Sequence, residues 1–380
     1  MNWESVAIEK IPSPCYVIDC DILKHNLGLM QSRCNQLGLR PLLAVKGFPL
    51  ALLFREIAPY LYGISASSLF EARLGKRMEK EVHIHAPAYR PDEIQEIFSL
   101  CDHVVFNSLA QRDRYQIPSL LAGKNISFGL RINPEYSEVT IDKYNPCLPL
   151  SRFGLTQEML KNRDIAGIEG FHLHVMCDQG AETLARVVGV LIDKFGDYLK
   201  NLSWINLGGG HQLADADYRT DLLYGPMSKL VSDFGLDVYV EPCEAVVTSC
   251  GYLVSTVLDI VRNKQETAIL DTSAICHMPD VLEMPYRPEI AFPSDGNHGS
   301  HSYRLTGISC LPGDIIGEYQ MPSPLHIGDK IVFSDMGAYT FAKENYFNGI
   351  NFPAIVLYTE QNGFQVMKKF DYSDYEERFL

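Results

Sequence analysis

Three short pieces of this chain carry residue types that do chemistry. In "LLAVKGF", residues 42–48, an apolar run ends in Lys46. Burying an ammonium is costly unless it is paired or neutralised. Lys46 is therefore either a strand end turned to solvent or an amine that reacts. In "INLGGGHQ", residues 205–212, Gly208, Gly209 and Gly210 follow an apolar run. Such a triplet lets backbone N–H groups converge on an anion. A tight strand-to-loop turn would use it equally, and the spacing is not the G-x-G-x-x-G of a dinucleotide site. In "VEPCEA", residues 240–245, Glu241 closes a third run and Glu244 follows it. A carboxylate there serves a cation, a ligand N–H or a metal, or is a solvated loop residue. Two H-x-H pairs, His83/His85 and His172/His174, set two imidazoles on one strand face, as a zinc chelate requires. Satisfied structural histidines read the same way, and no metal is assigned.

The elements that must carry these residues repeat. Eight apolar or β-branched runs cover residues 41–46, 61–67, 82–88, 103–108, 126–134, 168–176, 204–210 and 236–242. Helix-like segments alternate with them, among them 50–61, 67–80 and 181–202, the last apolar at helical spacing over about five turns. Eight strand–helix units predict a (β/α)8 TIM-like barrel, with a doubly wound open sheet as the alternative. Lys46, Ser67, His85, Asn107, Asn133, His174, Gly208 and Glu241 all fall at the C-terminal ends of their runs, the face on which barrels build active sites. Beyond residue 250 short strands joined by Gly/Pro/Asp turns predict a second, all-β domain. Residues 289–307, polar and rich in Gly, Ser and His, read as a mobile loop. The expected division is a barrel over 20–245 and a β-sandwich or barrel-like domain of 1–19 plus 246–380.

One barrel mouth then holds a lysine, an anion loop and a carboxylate. Pyridoxal 5'-phosphate needs all three: an amine to bond its aldehyde, a phosphate cradle and an acid at its ring nitrogen. A ring kept protonated is a strong electron sink and favours loss of CO2 from an α-amino acid.

Further pieces follow in order: "FNSLAQ", "YNPCLPLSRFG", "GFHLHVMCDQ", "LDTSAICHMPDVLEMPYRP", "CLPGDIIGEY" and "GAYTFAKENYFNGINFP". With these the chain resembles the fold-type III pyridoxal-phosphate enzymes, the superfamily of alanine racemase and ornithine/diaminopimelate decarboxylases. It most resembles the carboxynorspermidine/carboxyspermidine decarboxylases. The resemblance implies that Lys46 bonds the cofactor, His174 stacks on its ring, and Gly208, Gly209 and Gly210 hold its phosphate. It implies that Glu241 pairs with the pyridine nitrogen and Tyr339 reaches the phosphate. It also implies a homodimer with shared active sites, each completed by Cys310 and Asp314 from the other subunit, with Cys310 as proton donor. A packing cysteine is the other reading of Cys310. Arg152, Glu244, Asp271, His277, Arg287 and Asp314 are the implied substrate contacts. The implied reaction is decarboxylation of a carboxylated polyamine, giving norspermidine or spermidine in polyamine biosynthesis. In ornithine-type relatives an acid follows the cysteine; Leu311 stands there here, which favours the carboxynorspermidine branch. A diaminopimelate or ornithine-type decarboxylase is the alternative. A racemase would set an arginine, not Glu241, at the ring nitrogen. A single-barrel cofactor carrier would lack the β domain, and a zinc amidohydrolase would leave Lys46 and the glycines unexplained. Three residues depart from the family pattern: Cys243 where glycine is usual, with strain expected if φ is positive there, Gln212 for a histidine, and Asp178 for a glutamate.

The chain of 380 residues has a net charge of −14, which argues against nucleic acid and suits a cationic small molecule. Ten scattered cysteines form no C-x-x-C pair, which argues against a zinc ribbon or disulfide scaffold and fits the cytoplasm. No apolar run is long enough for a membrane helix, and the N-terminus does not read as a secretory signal.

Overall fold

The computed structural model describes residues 1–119, 125–293 and 298–380. The chain divides into two compact units, one of residues 26–246 and one of 1–25 with 247–380. In chain order β1 (Cys15–Asp19) comes first and belongs to the second of these. Then come β2 (Leu39–Ala44), β3 (Gly63–Ala66), β4 (Glu81–His85), β5 (His103–Phe106), β6 (Ser127–Arg131), β7 (Gly170–His172), β8 (Trp204–Asn206) and β9 (Asp237–Val240). These eight are parallel and close into a barrel, β9 pairing back onto β2. The doubly wound alternative is thereby excluded.

Each barrel strand coincides with one of the eight runs, and the helices between them follow from local sequence. Ala181–Leu199 buries Leu184, Val187, Val188, Leu191, Phe195 and Leu199, one apolar stripe at helical spacing. Leu69–Lys76 starts at Ser68, whose hydroxyl accepts the Glu71 N–H. The segment 50–61 departs from the continuous helix expected. It holds one short helix, Phe54–Ile57, between 3-10 turns Ala51–Leu53 and Ala58–Tyr60. Pro59 has no N–H to donate, so the helical hydrogen-bond series is interrupted there even though Ala58 keeps helical φ/ψ. Inside the barrel the glycines make room for one large ring. A Cβ on Gly170 would lie 2.0 Å from Trp204, and one on Gly129 2.4 Å from it.

The other unit continues with β10 (Gly251–Asn263), β11 (Gln265–Leu270), β12 (Ile290–Phe292), β13 (His301–Thr306), β14 (Ile315–Met321), β15 (Lys330–Phe333), β16 (Ala354–Thr359) and β17 (Gly363–Lys368). Among the described residues these form with β1 a mixed sheet, ordered β14-β13-β11-β10-β1-β16-β17, with β15 joining β10 to β12. Its core packs Trp3, Ile8 and Ile11 on Val17, Tyr252, Val254, Val332 and Val356. The loop expected over 289–307 is a loop only in part. β12 pairs with β15, and β13 with β11 and β14. The stretch 294–297 lies outside the described residues.

Candidate active site

Lys46 sits two residues past β2, in a turn closed by the Gly47 N–H on the Ala44 carbonyl at 3.2 Å. It is half-buried, and its ammonium makes no hydrogen bond or ion pair among the described residues. It lines a cavity of about 760 Å³ together with His85, Arg131, Arg152 and His174. It also lines a recess with Ser65, His172 and Glu241.

Glu241 follows β9 and is 7% exposed. Its Oε1 accepts three hydrogen bonds, from Ser65 Oγ at 2.8 Å, Asn206 Nδ2 at 2.8 Å and His172 Nε2 at 3.2 Å. Its Oε2 takes none among the described residues. Burial alone would push this carboxyl up, but His172, His174 and Lys46 outweigh it and hold the group well below the usual carboxylate range. Arg131 fixes the histidine: its Nη1 donates to His172 Nδ1 at 3.1 Å, which leaves the ring proton on Nε2, aimed at Glu241. Burial lowers His172 as well, so a neutral ring donates to an ionised carboxylate. Burial brings the Arg131 guanidinium down to about 10, still charged at neutral pH, and its Nη2 donates to the His174 carbonyl at 2.8 Å.

The glycine loop is held by its own neighbours. Gly208 and Gly210 have φ of 75° and 83°. A Cβ on Gly208 would lie 2.5 Å from the Leu173 carbonyl oxygen, one on Gly209 2.4 Å from that of Glu241, and one on Gly210 2.2 Å from that of Met176. The Gly208 N–H donates to Asn206 Oδ1 at 2.8 Å and the Gly209 N–H to His174 Nδ1 at 2.9 Å. The Gly210 N–H has no acceptor among the described residues. Burial, then Lys46, keep His174 well below its ordinary value, so its ring is neutral.

The three departures resolve differently. Gln212 and Asp178 answer each other, Gln212 Nε2 donating to Asp178 Oδ1 at 2.6 Å. Cys243 is not among the residues with positive φ, so the strain expected there is absent.

The structure brings Lys46, His174, Gly208, Gly209, Gly210 and Glu241 together, with Arg152 on the larger cavity's wall and Glu244 opening the short helix Glu244–Val247. The remaining candidates lie in the other unit. Asp271 accepts from Ser13 Oγ at 2.6 Å, Ser255 Oγ at 2.9 Å and the Thr256 N–H at 2.8 Å. His277 is fully buried, and burial lowers it to about 4. Its Nδ1 accepts the Ser273 N–H at 3.2 Å and its Nε2 lies 3.1 Å from the Asn351 carbonyl. Asp314 is buried and accepts from Ser273 Oγ at 2.8 Å and the Ala274 N–H at 2.7 Å. These three side chains are engaged within their own unit. Arg287 is exposed, donates to the Glu318 carbonyl at 2.8 Å and lies over the Tyr319 ring. Cys310 is exposed in the single chain, unlike a packing cysteine, and its N–H donates to Asn348 Oδ1 at 2.7 Å. Tyr339 is half-buried with φ of 55°, an outlier for a bulky residue.

Four site residues, Ser65, Arg131, His172 and Asn206, were not singled out for these roles from sequence. The signal was available for three of them. Ser65, His172 and Asn206 stand two residues before Ser67, His174 and Gly208, at the C-terminal ends of the same strands and so at the same mouth.

Residues 15–337 match the family described as "Pyridoxal-dependent decarboxylase, C-terminal sheet domain". The chain belongs to the pyridoxal-dependent decarboxylases. The decarboxylase is 40% identical over 382 residues to a Campylobacter jejuni protein named carboxynorspermidine/carboxyspermidine decarboxylase, covering 97% of this chain and 99% of that one. It is also 40% identical to a Synechocystis protein named carboxyaminopropylagmatine decarboxylase, over 99% of this chain and 97% of that one. The crystal structure of Campylobacter jejuni carboxynorspermidine decarboxylase complexed with norspermidine superposes with a TM-score of 0.89 at 38% identity, covering 97% of this chain and all (100%) of that one. Helicobacter pylori diaminopimelate decarboxylase, at 18% identity and a TM-score of 0.80, shares the fold.

The cofactor of this family is pyridoxal 5'-phosphate, and the residues of the decarboxylase fit it. Among the described residues Lys46 is an unpaired amine at a cavity wall, and Glu241 keeps one oxygen without a donor. Nε2 of His85 and Nδ1 of His211 are buried with no hydrogen-bond partner among the described residues. Glycine alone is tolerated through 208–210, which brings backbone rather than side chains to the loop.

Proposed function

We propose that this decarboxylase removes CO2 from carboxynorspermidine and carboxyspermidine, a proton taking the place of the lost carboxylate to leave norspermidine and spermidine. The observation that carries the reading is the Glu241 cluster beside Lys46. Three donors on Oε1 fix the carboxylate, and Oε2 remains for the proton of a ring nitrogen. When bound, pyridoxal 5'-phosphate supplies an aldehyde for an amine and a ring that takes up the electron pair left by CO2.

The chain's own groups do the rest. Lys46 is the amine that tethers the cofactor. Ser65, Asn206 and His172 keep Glu241 oriented and ionised, with Arg131 fixing the His172 tautomer. His174, anchored by the Gly209 N–H, would stack on the cofactor ring; Gly210 would hold its phosphate, and Tyr339 would reach that phosphate. The φ of Tyr339 supports a functional placement, because such strain persists where the surroundings impose it. The active unit is a homodimer, in which Cys310 of the partner subunit delivers the proton to the carbon that has lost CO2. Its exposure in the single chain supports this. Asp314 positions the "CLPGD" turn rather than touching substrate, since its carboxylate is held by Ser273 and Ala274. Arg152 meets the substrate carboxylate. Asp142, the carboxylate among the residues lining the larger cavity, takes a distal ammonium. Glu244 is a second partner for the polyamine chain.

CO2 release measured with carboxynorspermidine, carboxyspermidine, carboxyaminopropylagmatine, ornithine and diaminopimelate tests the reading. The first two should give the highest kcat/KM. Preference for any of the other three overturns it.

A further inference from the structure

The segment that follows the glycine loop forms no helix or strand, yet it is fixed. Residues 211–219 lie between Gly210 and the 3-10 turn Thr220–Leu223. Arg33, on the helix Cys20–Leu37, reaches into this segment. Its Nη1 donates to the carbonyls of Leu213 at 2.7 Å and Asp215 at 2.5 Å, and its Nη2 to that of Ala216 at 3.3 Å. Its guanidinium carbon lies 5.6 Å from the centroid of the Tyr218 ring. One side chain from a helix far back in the sequence gathers three carbonyls and a ring.

Packing alone does not account for an arginine here. Arg33 is 8% exposed and makes no ion pair among the described residues. Burying a cation is costly unless an opposite charge or hydrogen bonds offset it. Carbonyl oxygens do so here, which leaves the positive charge itself without a counter-charge. An apolar side chain of similar volume would fill the place without that cost.

The place of this charge connects it to the glycine loop. Leu213 stands three residues after Gly210, at most about 11 Å away along an extended chain. The residues between are tied on the other side. Nε2 of His211 lies 3.0 Å from the Gly208 carbonyl. The Gln179 N–H donates to the Gly210 carbonyl at 3.0 Å, and the Gln212 N–H to the Gln179 carbonyl at 3.2 Å. Gly208 and Gly210 hold left-handed φ, so the direction of their N–H groups depends on where the chain is anchored beyond them. A charge this near acts partly through protein rather than water, where its field is less weakened.

We propose that Arg33 is the positioning residue of the cofactor's phosphate site. It pins the carbonyls of Leu213, Asp215 and Ala216 and so holds Gly208, Gly209 and Gly210 in the shape that receives the phosphate. Its charge, unmatched by an acid, favours that anion over a neutral group. The inference rests on the reading that the glycine loop holds the phosphate.

Binding separates this role from a merely structural one without reference to activity. The full-length protein, freed of cofactor with hydroxylamine, is titrated with pyridoxal 5'-phosphate and with 5'-deoxypyridoxal, the same aldehyde without the phosphate. Visible absorbance follows both. Wild-type protein should bind the phosphate ester far more tightly. Arg33→Gln, which loses the charge and the paired donors, should weaken the phosphate ester about tenfold or more, as loss of a charge-assisted hydrogen bond does. It should leave 5'-deoxypyridoxal unchanged. Arg33→Lys keeps the charge without the planar fork and should fall between Arg33→Gln and wild type. Its selective loss carries the test if Arg33→Gln does not fold. Equal weakening of both ligands, or no weakening of the phosphate ester, in the folded variants overturns the proposal. A wild-type protein with no preference for the phosphate ester overturns the phosphate reading of the glycine loop, and this inference with it.

Discussion

Glu241 is the residue on which the chemistry turns, and its environment defines how it fails. Glu241→Gln keeps the size but loses the charge held by Ser65, Asn206 and His172. The variant should still take up cofactor, with kcat lower by about 10²–10³, the usual loss when one aligned electrostatic group is removed. Steady-state kinetics beside cofactor absorbance checks this. Unchanged kcat would place the ring nitrogen elsewhere. At this scale the sequence was readable where a residue type was out of place in its surroundings. Lys46 and Glu241, each closing an apolar run, drew attention for that reason. Arg131 did not, although a buried arginine inside an apolar strand is as anomalous. The engagement of Asp271, His277 and Asp314 was unreadable because part of it comes from far along the chain: Asp271 bonds Ser13, and His277 meets Asn351.

The strands and loops carry a different kind of information. All eight barrel strands were legible, because strands buried on both faces read as continuous apolar runs. Their ends were less so. The run 168–176 yields a strand of three residues, Gly170–His172, and His174 lies on the loop beyond it. The pairing of β12 and β13 was hidden by the polar stretch between them. Close packing of Trp204 on Gly170 makes a stability prediction for the barrel wall. Gly170→Ala should lower stability by about 1–3 kcal/mol through overpacking, read as a drop in the denaturant midpoint; an unchanged midpoint would mean that Trp204 swings aside at no cost. In the glycine loop, Gly210→Ala meets both a φ of 83° and the Met176 carbonyl. It should weaken cofactor retention on dialysis far more than it lowers the thermal midpoint. Equal loss of both would make the loop structural only.

For the whole molecule, buried histidines set the response to pH. His85, His103, His172, His174, His211 and His277 are all lowered, burial being the first cause in each. Below pH 6.5 the unfolded chain takes up protons that the folded chain refuses, so stability falls as pH drops from about 6.5 toward 4. Each group contributes at most about 1.4 kcal/mol per pH unit. Glu344 runs the other way. Burial raises its carboxyl to about 9, so its contribution is complete below about 4.5 and fades as pH rises to 9. Burial raises the Glu71 and Asp280 carboxyls in the same direction. With six lowered histidines against these three carboxyls, the thermal midpoint should fall between pH 7 and pH 5, and a flat profile would contradict this balance. The shared-site dimer makes its own prediction. Lys46→Ala and Cys310→Ser proteins, each inactive, should recover about a quarter of wild-type activity when mixed and reassociated, because half of the dimers are mixed and each has one intact site. No recovery would mean that each site is built from a single chain. Length and composition left assembly unread, since no single stretch of sequence carries it.

The most direct test is chemical trapping at Lys46. Holoenzyme reduced with borohydride, digested and mapped by mass spectrometry should carry a pyridoxyl group on Lys46, and Lys46→Ala should carry none. A pyridoxyl group on another lysine, or none in the wild-type protein, would contradict the account.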